Sequence, residues 1–254
     1  MKRNIIVVVL FINFVFYVSG SGLDANLFMN PEISRVESYR NGLPSLRSDY
    51  VKEGNKIIVY QTEIRSMQTH INREYIFGDS VIEVNNYYPD GFRYSYSKYI
   101  YLNGLLKIHE YESKLRYEGI PEAIRDSDRF EYFYDSNRNL LRVVGSGFER
   151  DYIYSSGNLV SIERVNRRGE RRSERVERIN GNTVHTPSYD LYIMTDRKVI
   201  ENRIDGNTKT TIITYYLDGE VFEEQRYIYV NDRLESARTY NSWIRDVFEY
   251  KFFY

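Results

Sequence analysis

A tyrosine-rich phrase recurs along this chain, and it constrains the fold more than any other feature. In its clearest copies a Tyr-x-Tyr doublet runs into Asn, Asp or Gly and then into a short apolar run. It reads YIYLNGLLKI from Tyr99, YFYDSNRNLLRVV from Tyr132, YIYSSGNLVSI from Tyr152 and YIYVNDRLESA from Tyr227. Weaker copies start at Tyr75, Leu191 and Thr214. A strand-turn-strand phrase repeated this often predicts a β-meander of hairpins. The 26 tyrosines suit it, since Tyr favours strands, buries a large ring and keeps a hydroxyl for water or a partner. The spacing of the anchors is uneven, which argues against a regular solenoid. The expected fold is all-β: an irregular antiparallel meander or curved sheet, with one short N-terminal helix.

The leader is the second strong signal. Lys2 and Arg3 precede an apolar run from Ile5 to Val18, and Ser19-Gly20-Ser21-Gly22 follows. This pattern predicts a secretory signal peptide over residues 1–20 and an exported protein of the periplasm, cell surface or extracellular space. The run is shorter than the roughly 20 apolar residues of a spanning helix. The chain has no cysteine, so neither disulfides nor thiolate metal sites are available. Its formal net charge is −1, and loss of Lys2 and Arg3 takes it to about −3. That balance argues against nucleic acid as a partner.

Beyond the leader, residues 21–50 read as a short helix and linker, and residues 51–254 as a Tyr-rich antiparallel β domain. Asn30 would cap the helix, Pro31 would fit its first turn, and Asn41-Gly42 would close it. Asn103-Gly104, Gly157-Asn158, Gly181-Asn182, Asp218-Gly219 and Asn231-Asp232 fall between alternating runs and read as hairpin turns. Pro89-Asp90-Gly91 reads as another turn. Pro121 to Asp128 interrupts the pattern as an insertion or helical turn.

Tyr132, Tyr134, Asp135 and Leu140 or Leu141, followed by Tyr152, Tyr154, Gly157 and Leu159, resemble the YD repeat of the Rhs family. The resemblance covers degenerate copies between Tyr99 and Arg238. It implies an exported or surface β-structure. Some members form shells around toxins, but such shells are far longer than this chain, and that function is not carried over.

No catalytic constellation stands out. His70, His109 and His185 are far apart in sequence, and His109 reads as a surface strand residue. Asp135-x-Asn137-x-Asn139 resembles the opening of a calcium loop, but Leu140 and Ser146 occupy the positions that need Gly and a carboxylate, so a turn is expected. Gly145-Ser146-Gly147 lacks the spacing of a nucleophile elbow. Glu163 to Arg178 is the most charged segment. Arg167, Arg168, Arg171, Arg172 and Arg175 form a candidate anion-binding set, and interleaved glutamates favour a solvated hairpin with its tip at Asn166 to Gly169.

The C-terminus alternates Phe248, Tyr250, Phe252 and Tyr254, like the last strand of an outer-membrane barrel. The other strands oppose that reading. In Val221 to Val230 one face carries Glu223 and Gln225, and the other carries Glu224 and Arg226. The expectation is therefore an exported, non-enzymatic interaction or structural module of the envelope, with an integral outer-membrane barrel as its rival. No cofactor is expected. An envelope protein or a glycan is the expected partner, with peripheral membrane association.

Overall fold

The computed structural model describes residues 32–254 apart from 116–123, 167 and 190–193. The predicted leader lies outside the described residues. The described chain is all-β. The first nine strands are β1 (Arg35–Arg40), β2 (Leu43–Glu53), β3 (Lys56–Glu63), β4 (Gln68–Phe77), β5 (Val81–Tyr87), β6 (Arg93–Leu102), β7 (Leu105–Leu115), β8 (Ile124–Tyr134) and β9 (Leu140–Gly145). The second nine are β10 (Phe148–Ser155), β11 (Asn158–Val165), β12 (Arg171–Ile179), β13 (Asn182–Thr186), β14 (Arg197–Asp205), β15 (Thr208–Leu217), β16 (Glu220–Val230), β17 (Arg233–Asn241) and β18 (Asp246–Phe253).

Each strand pairs antiparallel with the strand before it and the strand after it. β1 pairs on one side with β2 and on the other with β18, Val36 lying opposite both Ser48 and Phe252. The meander is therefore not an open curved sheet. It is a closed ring of 18 strands. Following the registers around the ring returns to the start roughly 20 residues out of step, a stagger that goes with strands tilted by about 40°. A closed sheet of this strand number is wide enough to hold an aqueous interior.

The expected N-terminal helix is corrected at the same place. Arg35–Arg40 is a strand, and Asn41-Gly42 is a hairpin turn with positive φ at both residues, not a helix stop. Tertiary pairing overrides the local cap signals, because β1 is the strand that closes the ring. Val36 joins Ile33, Leu234 and Phe252 in a buried cluster, each at most 5% exposed. Tyr50 links this cluster to a second one of Ile57, Val59, Tyr75 and Val84. Both lie on the same face of the sheet, the inner one.

The expected turns form, with a shift at two of them. Asn103-Gly104, Asp218-Gly219 and Asn231-Asp232 are two-residue turns with positive φ at both positions. The other two sit one residue earlier than expected, at Ser156-Gly157 and Asn180-Gly181. A primed turn places Gly second, after a residue that tolerates the left-handed region.

The two rims of the ring differ. β1 begins and β18 ends at one rim, where tight turns join β2 to β3, β6 to β7, β10 to β11, β12 to β13, β14 to β15 and β16 to β17. The other rim carries longer connections, including Tyr88 to Phe92, Asn166 to Glu170 and Ser242 to Arg245.

Phe252 and Phe253 test the assignment of faces. Phe252→Ala should cost about 3–5 kcal/mol, as for a buried aromatic. Phe253, on the outer face against the Arg35 guanidinium, should cost about 1 kcal/mol or less. Denaturant unfolding of the two variants measures the difference. Equal losses would contradict the assignment.

Candidate functional site: the inner wall of the barrel

The repeated phrase has a structural meaning. In each clear copy both tyrosines of the doublet point inward, and the turn that follows lies at the tight-turn rim. A β-bulge sits opposite the second tyrosine of each, at Tyr101, Tyr134, Tyr154 and Tyr229. A bulge bends and twists a strand pair, so the phrase supplies curvature along with the inward pair.

Three copies lie on alternate strands, β6, β8 and β10, and they build one aromatic wall. It comprises Tyr99, Tyr101, Tyr132, Tyr134, Tyr152 and Tyr154, all half-buried. The intervening strands complete it. The His109 ring stacks on Tyr99 at 4.4 Å and lies 5.7 Å from Phe130. Phe130 meets Phe148 edge-on at 6.4 Å. Gly145 makes that meeting possible, since a Cβ there would fall 2.7 Å from the Phe130 ring. Cations brace the wall: Lys107 lies 4.9 Å from the Tyr134 ring centroid, and Arg150 donates to the Tyr152 hydroxyl at 3.3 Å.

Burial sets the protonation of this wall. It raises the phenols of Tyr99, Tyr101, Tyr132, Tyr134 and Tyr154 above their ordinary value, so they remain neutral. It pushes His109 down to about 4, against the opposing pull of Asp128. The expectation that His109 is a surface residue is corrected: it faces inward, and its Nε2 is buried with no hydrogen-bond partner among the described residues. Alternation places it there, opposite Tyr99 and Phe130.

A second sector, on β11 to β14, is charged and closed. Glu174 is fully buried. Its carboxylate accepts from the Arg164 guanidinium at 3.1 Å, contacts His185 Nδ1 at 2.5 Å, and accepts from the Tyr189 amide at 3.4 Å. Arg164 also donates to the Tyr189 carbonyl, and Arg164 and Arg172 both pack over the Tyr189 ring. Tyr189 is thereby held against the inner wall, and Ser188 and Thr195 are paired and fully buried. A third sector carries Glu223, whose carboxylate accepts from Gln225 and Asn241 at 2.7 and 3.0 Å. Burial raises its pKa, and those two donors lower it.

The outer face is different in kind. Ion pairs run around it: Arg47 with Asp49, Arg129 with Glu110 and Glu131, Arg142 with Glu149 and Asp151, Arg175 with Glu177, Arg203 with Glu201, and Arg238 with Glu249.

The candidate anion-binding arginines do not converge. Arg167 lies outside the described residues. Arg168 is in the β11–β12 connection, Arg171 and Arg175 are on the outer strand face, and Arg172 points inward over Tyr189. The hairpin tip forms at Asn166 to Gly169, where the Asn166 carboxamide oxygen accepts from the amides of Arg168 and Glu170. The hairpin is not solvated throughout, because Arg164 and Glu174 on its inner face are buried. Asp135 closes its turn as expected, accepting from the amides of Asn137 and Asn139. The Ser146 hydroxyl is engaged by Asp128 at 2.7 Å. Among the described residues, no three His or acidic side chains converge as a metal site.

Replacing Arg171 and Arg175 with Gln should change stability by about 0–1 kcal/mol, as for exposed pairs. Glu174→Ala should cost about 3–5 kcal/mol, because it strands the buried Arg164. Chemical denaturation separates the two effects.

His109 gives a pH dependence. Its folded pKa lies below that of the unfolded chain, so the unfolded state takes up the proton first. The penalty is small above about pH 6.5 and grows to roughly 3 kcal/mol as pH falls to 4. His109→Phe should flatten unfolding free energy across that window. An unchanged slope would place the titration elsewhere.

The chain matches no known family model, and no curated protein is detectably similar to it in sequence.

Proposed function

We propose that this chain is an exported barrel of the cell envelope that binds its ligand inside, with its outer wall in water. One observation carries the reading: the sheet divides a Tyr-lined inner face from an ion-paired outer face. Tyr offers an apolar ring for stacking and a neutral hydroxyl for hydrogen bonding. A wall of six such side chains, with Lys107 and Arg150 at its margin, suits a glycan, which presents apolar ring faces and hydroxyls together. The role assigned is binding, not catalysis.

A second reading is an integral outer-membrane barrel. Closure, an even strand number and the tight turns at the rim holding both ends of the sheet all favour it over an open meander. The outer face opposes it. A lipid-facing wall needs an apolar band about 25 Å tall, and each mid-depth Arg or Lys on it costs about 2–4 kcal/mol. Here β16 turns Glu224 and Arg226 outward, and β8 turns Arg129 and Glu131 outward. No helix among the described residues is long and apolar enough to cross a membrane, which has no bearing on a barrel.

The mature chain should stay in solution without detergent and migrate alike on gels with and without heating. Calorimetry against soluble oligosaccharides should give binding that Tyr99→Ala and Tyr134→Ala weaken and the outward Phe133→Ala does not. Extraction only by detergent, together with heat-modified migration, would establish the membrane reading.

A further inference from the structure

Three neighbouring hairpin tips at the longer-loop rim expose large apolar side chains. They join β17 to β18, β1 to β2 and β3 to β4. Backbone bonds tie them side by side: the Asn41 amide donates to the Val247 carbonyl, and the Ile64 amide donates to the Ser45 carbonyl. The tips carry Trp243, Ile244, Leu43 and Met67, which are 61, 40, 60 and 73% exposed. Single exposed apolar residues are ordinary, but four on adjacent tips are not.

The tips are braced. Asp246 is buried and accepts from Arg40 and from the Asn41 carboxamide at 2.8 Å. The Asn41 side-chain oxygen accepts from the Val247 amide at 2.9 Å. On the neighbouring side the Asn241 carboxamide accepts from the Trp243 amide, and Trp243 meets Phe222 edge-on at 5.1 Å. These bonds fix the backbone of the β1–β2 and β17–β18 tips, on which Leu43, Trp243 and Ile244 stay exposed.

Charge identifies the occupant. Arg245 follows Trp243-Ile244 directly, and Arg65 stands two residues before Met67, both exposed. Of the nearby acids, Asp246 pairs with Arg40, while Glu63 accepts from the Ser66 hydroxyl and keeps its charge, so that with Arg65 and Arg245 the tips carry a net positive charge. The tips therefore combine an indole, aliphatic side chains and exposed guanidinium groups. That is the chemistry of an anionic lipid surface, where rings and chains enter the headgroup boundary and arginines meet phosphates.

We propose that this arc of the rim docks onto the surface of a membrane bearing anionic headgroups, with the barrel standing in water above it. The proposal rests on the reading that the barrel wall is not embedded in lipid.

Trp243 is the chain's one tryptophan, so its fluorescence reports on this site alone. The mature protein is first shown to stay in solution without detergent. Failure at that step rejects the water-facing barrel, and the docking with it. Titration with phosphatidylglycerol-containing vesicles should then shift Trp243 emission to the blue and co-sediment the protein. Phosphatidylcholine vesicles should do so much less, and added salt should weaken the effect. Leu43→Ser with Met67→Ser keeps the reporter and should weaken binding about tenfold or more. Arg65→Gln with Arg245→Gln should remove the preference for anionic vesicles. Soluble protein with no shift and no co-sedimentation overturns the proposal, as does wild-type affinity in the Leu43 and Met67 variant. A blue shift that grows with protein concentration in the absence of lipid also overturns it, and assigns the tips to a second copy of the chain.

Discussion

The pairing of β1 with both β2 and β18 is the contact on which the rest of the structure depends. Without it, β2 and β18 would each present a row of unpaired amides and carbonyls, a template for joining another chain. Six residues of β1 satisfy both edges at once. The same strand delivers Val36 to the cluster with Phe252 and Leu234, so the hydrogen bonds that close the ring coincide with a packed core. No disulfide backs this closure, since the chain has no cysteine. It relies on register and burial.

Closure also fixes what the two faces mean. In an open sheet either face could meet water. In the ring, one face shares an enclosed space, and its polar groups must satisfy one another or meet trapped water. The sectors do this differently. Glu174 binds Arg164, His185 and the Tyr189 amide. Glu223 is held by two carboxamides. The tyrosine wall remains half-buried, with the Tyr152 hydroxyl accepting from Arg150. The outer face encloses nothing, and its charges pair with one another along and between neighbouring strands.

The hairpins and most of their turn residues were legible in the sequence, because a turn with positive φ favours Asn, Asp or Gly, whereas the positive φ of Met67, Arg138, Ser156 and Arg245 had no such signal. The all-β class followed from them. Closure was not legible. It depends on Arg35–Arg40 being a strand, and the local signals at Asn30, Pro31 and Asn41 spell a helix that only long-range pairing with β18 defeats. The inner wall was half legible: Tyr-x-Tyr guarantees that both rings share a face, but not which face. His109, Arg164, Glu174 and His185 were missed as interior groups for the same reason. Their sequence spacing carries no sign of convergence until two successive registers bring Ile162 opposite Glu174 and Val176 opposite His185.

The bulged, inward-facing phrase has a consequence for the ring as a whole. Each copy brings its own curvature, its own aromatic pair and its own turn, and meets its neighbours through the backbone ladder and through ring contacts such as Tyr99 with His109. The bore of such a ring is set by counting. A chain that gained or lost one phrase would still meet end to end, two strands wider or narrower, with the same chemistry on its lining. Girth and lining are thus separable in this architecture, and the bore could change by steps of one hairpin while the chemistry of its wall stays the same.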